Sequence, residues 1–317
     1  MLFRSPGYPV SALSVFRAFV APALREATDH AGPADAERKA TLATRVRYDG
    51  GRLRLLPVGL VTDGAGGVVA YASMKGSGAT TTLVETDGVV RMQPETSILG
   101  AGSTVTVERF DDTPVPTLLG VGDPDPAVGT LLDTLETARY LTLSDADATR
   151  WLADGIPDVV VTGGSVPDGD RLARWRREWG IVVPPDNPAG LSGIEDLADA
   201  DRRFGNLAPS LSLRRAFDDR IDALGVDPDG IDGYHRELPG IESPARSVAA
   251  GRADAGLGLF ETAHELGLGF VPVDTQRMTL TAHADRTGKA SVDHLRTRLA
   301  ESFAGTLSGT PGYESLE

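Results

Sequence analysis

Residues 177–197, REWGIVVPPDNPAGLSGIEDL, form the stretch that decides the fold. An apolar strand over residues 181–183 meets two prolines, and a turn then leads into a helix. Ser192 and Glu195 have the spacing of a capping box, which predicts that this helix begins at Ser192. A strand that stops at prolines and enters a new helix is typical of a crossover between two lobes with a ligand cleft beside it. We therefore predict the crossover at Trp179–Pro188; an ordinary βα unit within one domain is the alternative.

Residues 117–305 alternate apolar strand patterns with helical ones. Repeated βα units indicate a largely parallel sheet covered by helices. We therefore predict an α/β, two-lobed domain over this range, with a ligand at the carboxyl ends of its strands. The finer predictions are a helix whose apolar face runs from 128 to 138, a helix over 171–179, and a frayed tail at 306–317. All three tryptophans are predicted to be core residues on helical faces: Trp151, Trp175 and Trp179.

The first third of the chain follows a different pattern. Residues 1–30 carry a helical stripe that Pro22 interrupts, so a kink or break is expected there. Residues 31–110 contain short β-like runs separated by Gly-rich turns, which predicts a small all-β domain. Residues 111–116, DDTPVP, have the composition of a linker.

The charge balance is strongly acidic. The net charge is −14, and lysine occurs only at positions 39, 75 and 289. Because molar salt shortens the screening length to about 3 Å, such a surface is tolerated in concentrated KCl, and our hypothesis is a halophilic cytosol. The chain has no cysteine, and its five histidines are scattered, so a metal site is not expected.

Two classes of partner are excluded by composition. No run of about 18 apolar residues is present, and no cleavable apolar leader is recognisable at the N-terminus. No basic stripe is present that could neutralise phosphates. We therefore expect a soluble, cytoplasmic protein with neither a membrane nor a nucleic-acid partner.

Residues 1–110 resemble the C-terminal end of the gephyrin-like molybdopterin molybdotransferases, which insert molybdenum into the pterin cofactor. Ser5–Ala12, SPGYPVSA, is similar to the family's L-P-G-N-P-V-S-A, with Tyr8 in place of the Asn. Lys75–Pro94 is similar to the Ser-Gly and Ala-x-Gly portion of the family's last β domain, and Gly100–Val107 to its closing G-x-G-x-x-V-x-V.

That resemblance implies which part of the enzyme is present. The chain starts inside the last motif of the molybdopterin-binding domain, so residues 1–30 are expected to be a helical remnant of it, and no catalytic residue is assigned. Four positions are implied to lie near molybdopterin: Gly7, Pro9, Ser11 and Ser77. Ser77 lies in a Gly-Ser-Gly run that is otherwise an ordinary turn.

Residues 117–305 resemble the periplasmic-binding-protein-like (type II), LysR-type substrate-binding domain that is often fused to these enzymes. Gly122–Ala127, GDPDPA, is similar to its S-H-D-P-A, and residues 177–191 are similar to its R-E-Q-G-L-I-V-P-P-G-N-P-K-G-I. The resemblance implies two lobes, a hinge and a small anionic ligand such as molybdate, tungstate or a pterin. One segment departs from the family: its N-R-x-x-G-S-G-T-R is NLAPSLSLR here, at Asn206–Arg214.

Oxyanions are held by backbone N–H groups at helix N-termini, by hydroxyls and by arginine. The predicted ligand-binding residues are Asp123, Ser144, Asn206, Ser210, Ser212, Arg214 and Tyr234, of which Asp123 is included because it is expected to face the cleft.

Each of these residues has a structural alternative. Asn206–Arg214 could be a helix cap with a surface arginine, and Ser144 could simply cap its helix. Asp123 could belong to the turn before a helix, and Tyr234 could be a packing residue.

Three hypotheses follow for function. The chain is a molybdenum or tungsten cofactor biosynthesis protein whose two-lobed domain binds a small anion. Alternatively, it is the C-terminal part of a split molybdotransferase, completed by a separate catalytic domain or across a homodimer. The third alternative is a non-catalytic remnant of that enzyme.

Overall fold

The computed structural model describes residues 9–31, 36–73, 85–164, 167–198 and 202–316. The chain forms two compact units. The first comprises residues 1–119 with 137–139 and 154–156, and the second comprises 120–136, 140–153 and 157–317.

The described part of the first unit begins with a helix that contains a π-turn. Helix α1 spans Pro9–Val15, a π-helical turn spans Phe16–Val20, and helix α2 spans Ala21–Ala27. Proline lacks the N–H that continues an α-helical ladder, and Pro22 lies at the start of α2 directly after the π-turn. The helix thus changes from π to α geometry just before Pro22, and the kink or break expected at Pro22 itself stays a prediction.

Among the remaining described residues of the first unit, five strands form a closed β-barrel in the order β1-β4-β3-β5-β7. Apolar side chains alternate along its strands, and those of Leu56, Val58 and Leu60 are buried in its interior. Strands β2 and β6 form a separate antiparallel pair. The small all-β domain is confirmed. The strands are β1 Glu37–Leu42, β2 Val46–Arg47, β3 Arg54–Thr62, β4 Val68–Ala72, β5 Gly88–Met92, β6 Ile98–Leu99 and β7 Thr104–Arg109.

The second unit is built on a nine-stranded sheet in the order β13-β12-β14-β11-β15-β10-β8-β9, with β16 paired to β11. The strands are β8 Leu118–Gly122, β9 Ala138–Thr142, β10 Val159–Thr162, β11 Asp170–Val183, β12 Phe204–Leu207, β13 Glu237–Leu238, β14 Ala255–Leu259, β15 Gly269–Ala282 and β16 Tyr313–Ser315.

Seven α-helices accompany this sheet in the part of the chain that the structure describes. They are α3 Pro126–Leu132, α4 Asp145–Ala153, α5 Ser212–Leu224, α6 Ser243–Ala249, α7 Phe260–Glu265, α8 Ala290–Arg298 and α9 Ala304–Gly309. A π-turn, Leu299–Phe303, joins the last two, and short 3₁₀ turns occur at Glu195–Leu197, Pro228–Gly230 and Ala284–Arg286. Every helix in the described ranges is too short or too polar to cross a membrane.

Two long strands divide the second unit into two lobes. Strands β11 and β15, each of 14 residues, pair antiparallel along their length. The C-terminal end of β15 pairs with β10. The C-terminal end of β11, which lies at the opposite end of this antiparallel pair, pairs with β14. We call β8–β10 with α3 and α4 the first lobe, β12–β14 with α5 and α6 the second lobe, and β11 and β15 the crossing strands. The predicted two-lobed α/β domain, preceded by a small all-β domain, is confirmed.

The position of the crossover differs from the prediction. Residues 179–182 already pair with β14 of the second lobe, so the chain passes between the lobes before Trp179–Pro188. The predicted helix over 171–179 is wrong, because this segment is part of β11. Trp175, Arg177 and Trp179 are buried while the residues between them are partly exposed, which is the period-2 pattern of a strand.

Three further local predictions are corrected. Helix α3 ends at Leu132, and Ala138 belongs to β9 instead of that helix. Ser192 does not form a capping box with Glu195, because its N–H and hydroxyl both donate to Asp196 Oδ2, at 2.6 and 2.7 Å. The predicted frayed tail contains the end of α9 and strand β16, which pairs with residues 175–177 of β11.

Candidate ligand site between the two lobes

The loop after β8 places Asp123 in the interior. Gly122 has φ +129°, and a Cβ there would lie 2.0 Å from the Val161 carbonyl oxygen, so glycine is required for this turn. The Asp123 N–H donates to the same Val161 oxygen at 2.9 Å. The result is an aspartate whose side chain is completely buried.

Three donors converge on the Asp123 carboxylate. The Ser212 N–H donates to Oδ1 at 2.9 Å, and the Ser212 hydroxyl donates to Oδ2 at 2.7 Å. Arg177 Nη2 also donates to Oδ2, at 2.6 Å. Ser212 is the first residue of α5, so the carboxylate lies at the positive end of a 13-residue helix. Asp123 of the first lobe is therefore bonded directly to the second lobe.

Arg177 is a completely buried cation between two carboxylates. Its Nη1 donates to the Pro124 carbonyl oxygen at 2.8 Å and to Asp125 Oδ2 at 3.3 Å. Its Nε and Nη2 donate to Gln276 Oε1 at 3.0 and 2.8 Å. Burying such charges is tolerated when they are paired and fully hydrogen-bonded, as they are here.

Asp125 anchors the same cluster to the first lobe. Its Oδ1 accepts from the N–H groups of Ala127 and Val128 and caps α3. Its Oδ2 accepts from Trp175 Nε1 at 3.1 Å and from the Tyr313 hydroxyl at 3.4 Å. Burial raises the pKa of Asp125, and the Arg177 charge offsets only part of that rise.

Asp145, at the start of α4, is a second buried acid at this edge of the first lobe. Its Oδ1 accepts from the Gly163 N–H at 3.3 Å. Its Oδ2 is buried without a hydrogen bond among the described residues, 3.7 Å from Nη1 of half-exposed Arg215. Burial, followed by the charge of Asp123, raises the pKa of Asp145.

A cavity of about 500 Å³ adjoins this cluster and touches both lobes. Ser212 and Gln276 contribute to its wall, so the buried cluster and the cavity share two side chains. Its lining consists of a glycine pair, one residue of β11, one face of α5 and a run of β15: Gly163, Gly164, Trp179, Ser212, Arg215, Ala216, Asp219, Arg220, Ala223, Asp274, Thr275, Gln276 and Arg277. Three arginines and two aspartates are among these residues.

The predicted site residues divide into two groups. Asp123 and Ser212 lie together at the centre of the inter-lobe cluster. Asn206, Arg214 and Tyr234 lie in a separate cluster of the second lobe. The Arg214 guanidinium lies 4.4 Å from the Tyr234 ring centroid and donates to Asp218 at 2.7 Å, and Asn206 Nδ2 donates to the Tyr234 carbonyl oxygen at 2.9 Å.

The helical period explains this separation. Two residues along α5 correspond to about 200° of rotation, so Arg214 points away from the face that Ser212 shares with Arg215 and Ala216. The structure thus engages the Arg214 side chain within the second lobe, and its role as a ligand contact stays a prediction.

The remaining predicted residues have local positions. Ser144 caps α4, since its hydroxyl accepts from the Asp147 N–H at 3.1 Å and donates to Asp147 Oδ2 at 2.9 Å. Ser210 is exposed in the loop before α5. Pro9 begins α1, and Ser11 is half-buried within it. Gly7 and Ser77 lie outside the described residues.

Several residues of the site were missed by sequence reasoning, Arg177, Gln276, Asp145 and Arg215 among them. Arg177 lies in the stretch that decides the fold, but a helical interpretation gave it no special position. Gln276, Asp145 and Arg215 carry no motif. Within the described part of the chain, His, Asp and Glu form no group able to hold a metal ion.

The comparisons with known proteins define the class of protein. Residues 39–110 match the MoeA C-terminal region (domain IV), and residues 171–299 match the PBP superfamily domain. The chain therefore joins a MoeA C-terminal domain to a periplasmic-binding-protein-like domain.

Two relatives of known sequence are similar to parts of this chain. The chain belongs to the same family as the uncharacterized protein in the ferredoxin 2Fe-2S gene 5′ region of Clostridium pasteurianum, with 30% identity over 102 residues, which are 32% of this chain and 90% of that protein. It is also 29% identical over 140 residues to the uncharacterized protein YvgK of Bacillus subtilis, across 44% of this chain and 45% of YvgK. The match thus spans less than half the length of YvgK.

Among solved structures, the regulatory domain of MetR, a LysR family regulator from N. meningitidis, is similar with a TM-score of 0.46 and 14% identity. That match covers 63% of this chain and 99% of the MetR domain.

Proposed function

We propose that this chain is a molybdopterin biosynthesis-related protein whose two-lobed domain binds a small anionic ligand, such as molybdate, tungstate or a pterin. The observation that carries the proposal is the cavity between the lobes. Arg215, Arg220 and Arg277 outnumber Asp219 and Asp274 along its lining. The MoeA C-terminal region in the same chain supports the link to the molybdenum cofactor.

The geometry also supplies a way to couple binding to movement. The cavity wall combines Gly163 and Gly164 of the first lobe with one face of α5 from the second. A ligand that contacts both walls favours the closed arrangement over an open one, because only the closed form provides both sets of contacts. The paired crossing strands form the connection about which the lobes would move.

A thermal-shift and calorimetric screen in concentrated KCl tests the proposal, with molybdate, tungstate, sulfate and a pterin as probes. At least one probe is expected to raise the unfolding midpoint. Arg215→Ala and Arg277→Ala are each expected to weaken its binding by about tenfold to a hundredfold, the value of a charged hydrogen bond.

Arg246→Ala is the matched control. Arg246 is an exposed arginine on α6 that pairs at 2.6 Å with Glu242, the residue just before that helix, and its loss should leave binding unchanged. If none of the probes shifts the midpoint, the proposal is wrong.

The domain IV match favours a second candidate: the chain completes a molybdotransferase whose catalytic domain is a separate polypeptide, or acts across a homodimer. Co-purification with such a domain, and light-scattering mass measurement of the chain alone, test it. If the chain is a monomer and no catalytic domain co-purifies with it, this second candidate is wrong, and the non-catalytic remnant replaces it as the alternative.

A further inference from the structure

We infer that Asp123 is a built-in anion: it occupies the oxyanion position at the N-terminus of α5 and thereby keeps free oxyanions out of it. The part of this inference that concerns the ligand rests on the proposed function. The occupancy itself rests on the contacts of Asp123 alone.

The donors around Asp123 are those that a protein offers to an anion. They are a helix-terminal N–H, a hydroxyl and a guanidinium, contributed by Ser212 and Arg177 at 2.6–2.9 Å. Such a combination favours negative charge strongly, because the helix dipole and the cation act in the same direction. We call these three donors the anion cradle. The group inside it is a carboxylate of the protein.

A second anion has no room in this cradle. Ser212 is 1% exposed, and its hydroxyl also accepts from Gln276 Nε2 at 2.8 Å. A free oxyanion would have to displace Asp123, which would leave that buried carboxylate without its partners. It would also meet the negative charge of Asp125 within the same cluster.

Asp123 and Ser212 belong to different lobes, so the occupant also ties the lobes together. A PBP-like cleft normally closes on a ligand that bridges both sides. Here the chain supplies one such bridge itself. The ligand of the adjoining cavity is then held by Arg215, Arg220 or Arg277 without the helix terminus. This arrangement disfavours a bare tetrahedral oxyanion and favours a larger molecule that carries an anionic group.

Chemical rescue tests the inference. Asp123→Ala removes the carboxylate and leaves the cradle open to a small anion. Formate and acetate are the fragments that the substitution removes, and sulfate is the tetrahedral probe. At constant ionic strength with chloride as reference, formate at a hundredfold excess over its Kd should raise the Asp123→Ala midpoint by about 5–10 °C. The wild-type protein should show no such gain.

Two control variants separate the cradle from general charge effects. Asp123→Asn keeps an acceptor for the Ser212 N–H and still fills the space, so formate should not rescue it. Asp254→Ala removes a half-exposed carboxylate, which pairs with Arg203 Nη2 at 2.9 Å away from the cradle and can be replaced by water. Formate should do little for it.

The outcomes divide cleanly. Anion-specific rescue of Asp123→Ala alone supports the built-in anion. Equal rescue of wild type or of either control overturns it. If Asp123→Ala fails to fold, recovery only in formate-containing refolding buffer supports the inference, and failure with and without formate counts against it. A sulfate ion bound to the Ser212 N–H in place of Asp123, in a co-crystal of the wild-type protein, also overturns it. The ligand screen can fail without affecting any of these results.

Discussion

Arg177 and Gln276 are directly paired residues on the two crossing strands, and their side chains are hydrogen-bonded to each other at 2.8 and 3.0 Å. Each also reaches one side of the cleft: Arg177 donates to Asp123, and Gln276 donates to Ser212. Residues at the middle of the crossing strands thus connect the two lobes through hydrogen bonds.

Arg177→Met should destabilise the second unit strongly. It leaves two buried carboxylates, Asp123 and Asp125, without their cation, a loss of about 3–5 kcal/mol. Denaturant unfolding measures it. The neighbouring Arg176→Met is the control, because Arg176 pairs with an exposed Glu314 at 3.4 Å and its removal should cost less than about 1 kcal/mol. Equal effects of the two substitutions would contradict the buried-charge account.

Ser212→Ala should cost about 1–3 kcal/mol in unfolding free energy, because Asp123 Oδ2 and Gln276 Nε2 each lose a buried hydrogen bond to the Ser212 hydroxyl. Exposed Ser210 is two residues away in the preceding loop, and Ser210→Ala should stay within about 0.5 kcal/mol of wild type. Chemical denaturation compares the pair directly. A neutral Ser212→Ala would show that the hydroxyl does not hold the lobes together.

Asp145→Asn should change the pH dependence of stability. Because burial raises the pKa of Asp145 in the folded protein, the folded state binds the proton more tightly than the unfolded state. The stability from this carboxyl is therefore present at low pH and lost as pH rises through the folded pKa. The midpoint of the variant minus that of wild type should thus become more positive from acid to neutral pH, as thermal unfolding at several pH values would show. A constant difference would argue against a raised pKa.

Gly163→Ala should destabilise the protein, because the added methyl group would push the two lobes apart. A Cβ at Gly163 would lie 2.2 Å from Ser212 Oγ and 2.8 Å from Gln276 Nε2, so the expected loss is about 1–3 kcal/mol from overpacking. Gly129 in α3 has open space around it, and Gly129→Ala should instead stabilise by up to about 1 kcal/mol through helix propensity. The opposite signs, measured by thermal unfolding, check the closed arrangement.

Concentrated KCl should stabilise the protein. A net charge of −14 is self-repelling in dilute buffer, and salt screens that repulsion. Thermal midpoints should therefore rise along a KCl series, and an uncharged osmolyte at equal osmolality separates screening from exclusion effects. Full stability without salt would count against a halophilic origin.

The order of elements was largely predictable from the sequence, and the errors have physical causes. Trp175 and Trp179 are four residues apart, a spacing that fits one helical face and one strand face equally well. The buried residue between them is Arg177, and burial of an arginine is not visible in a hydrophobicity pattern. The alternation that marks β11 was therefore hidden by the buried Arg177.

The site was only half predictable. Asp123 and Ser212 were chosen because of their local surroundings, a loop after a strand and a helix start. Their contact joins residues 89 positions apart, and that between Arg177 and Gln276 joins residues 99 apart. No local pattern specifies such pairs, since they arise from sheet order and register.

Strand β16 has a consequence for how the domain is made. Tyr313 reaches Asp125 across 188 residues of sequence, and β16 pairs with the middle of β11. At a synthesis rate of about 5–20 residues per second, roughly 10–40 s separate the appearance of these two side chains. During this time the first lobe and β11 are already synthesised, but the edge of β11 that pairs with β16 is open and Asp125 lacks its hydrogen bond from Tyr313. An unpaired strand edge favours aggregation, so the nascent domain is vulnerable during that interval.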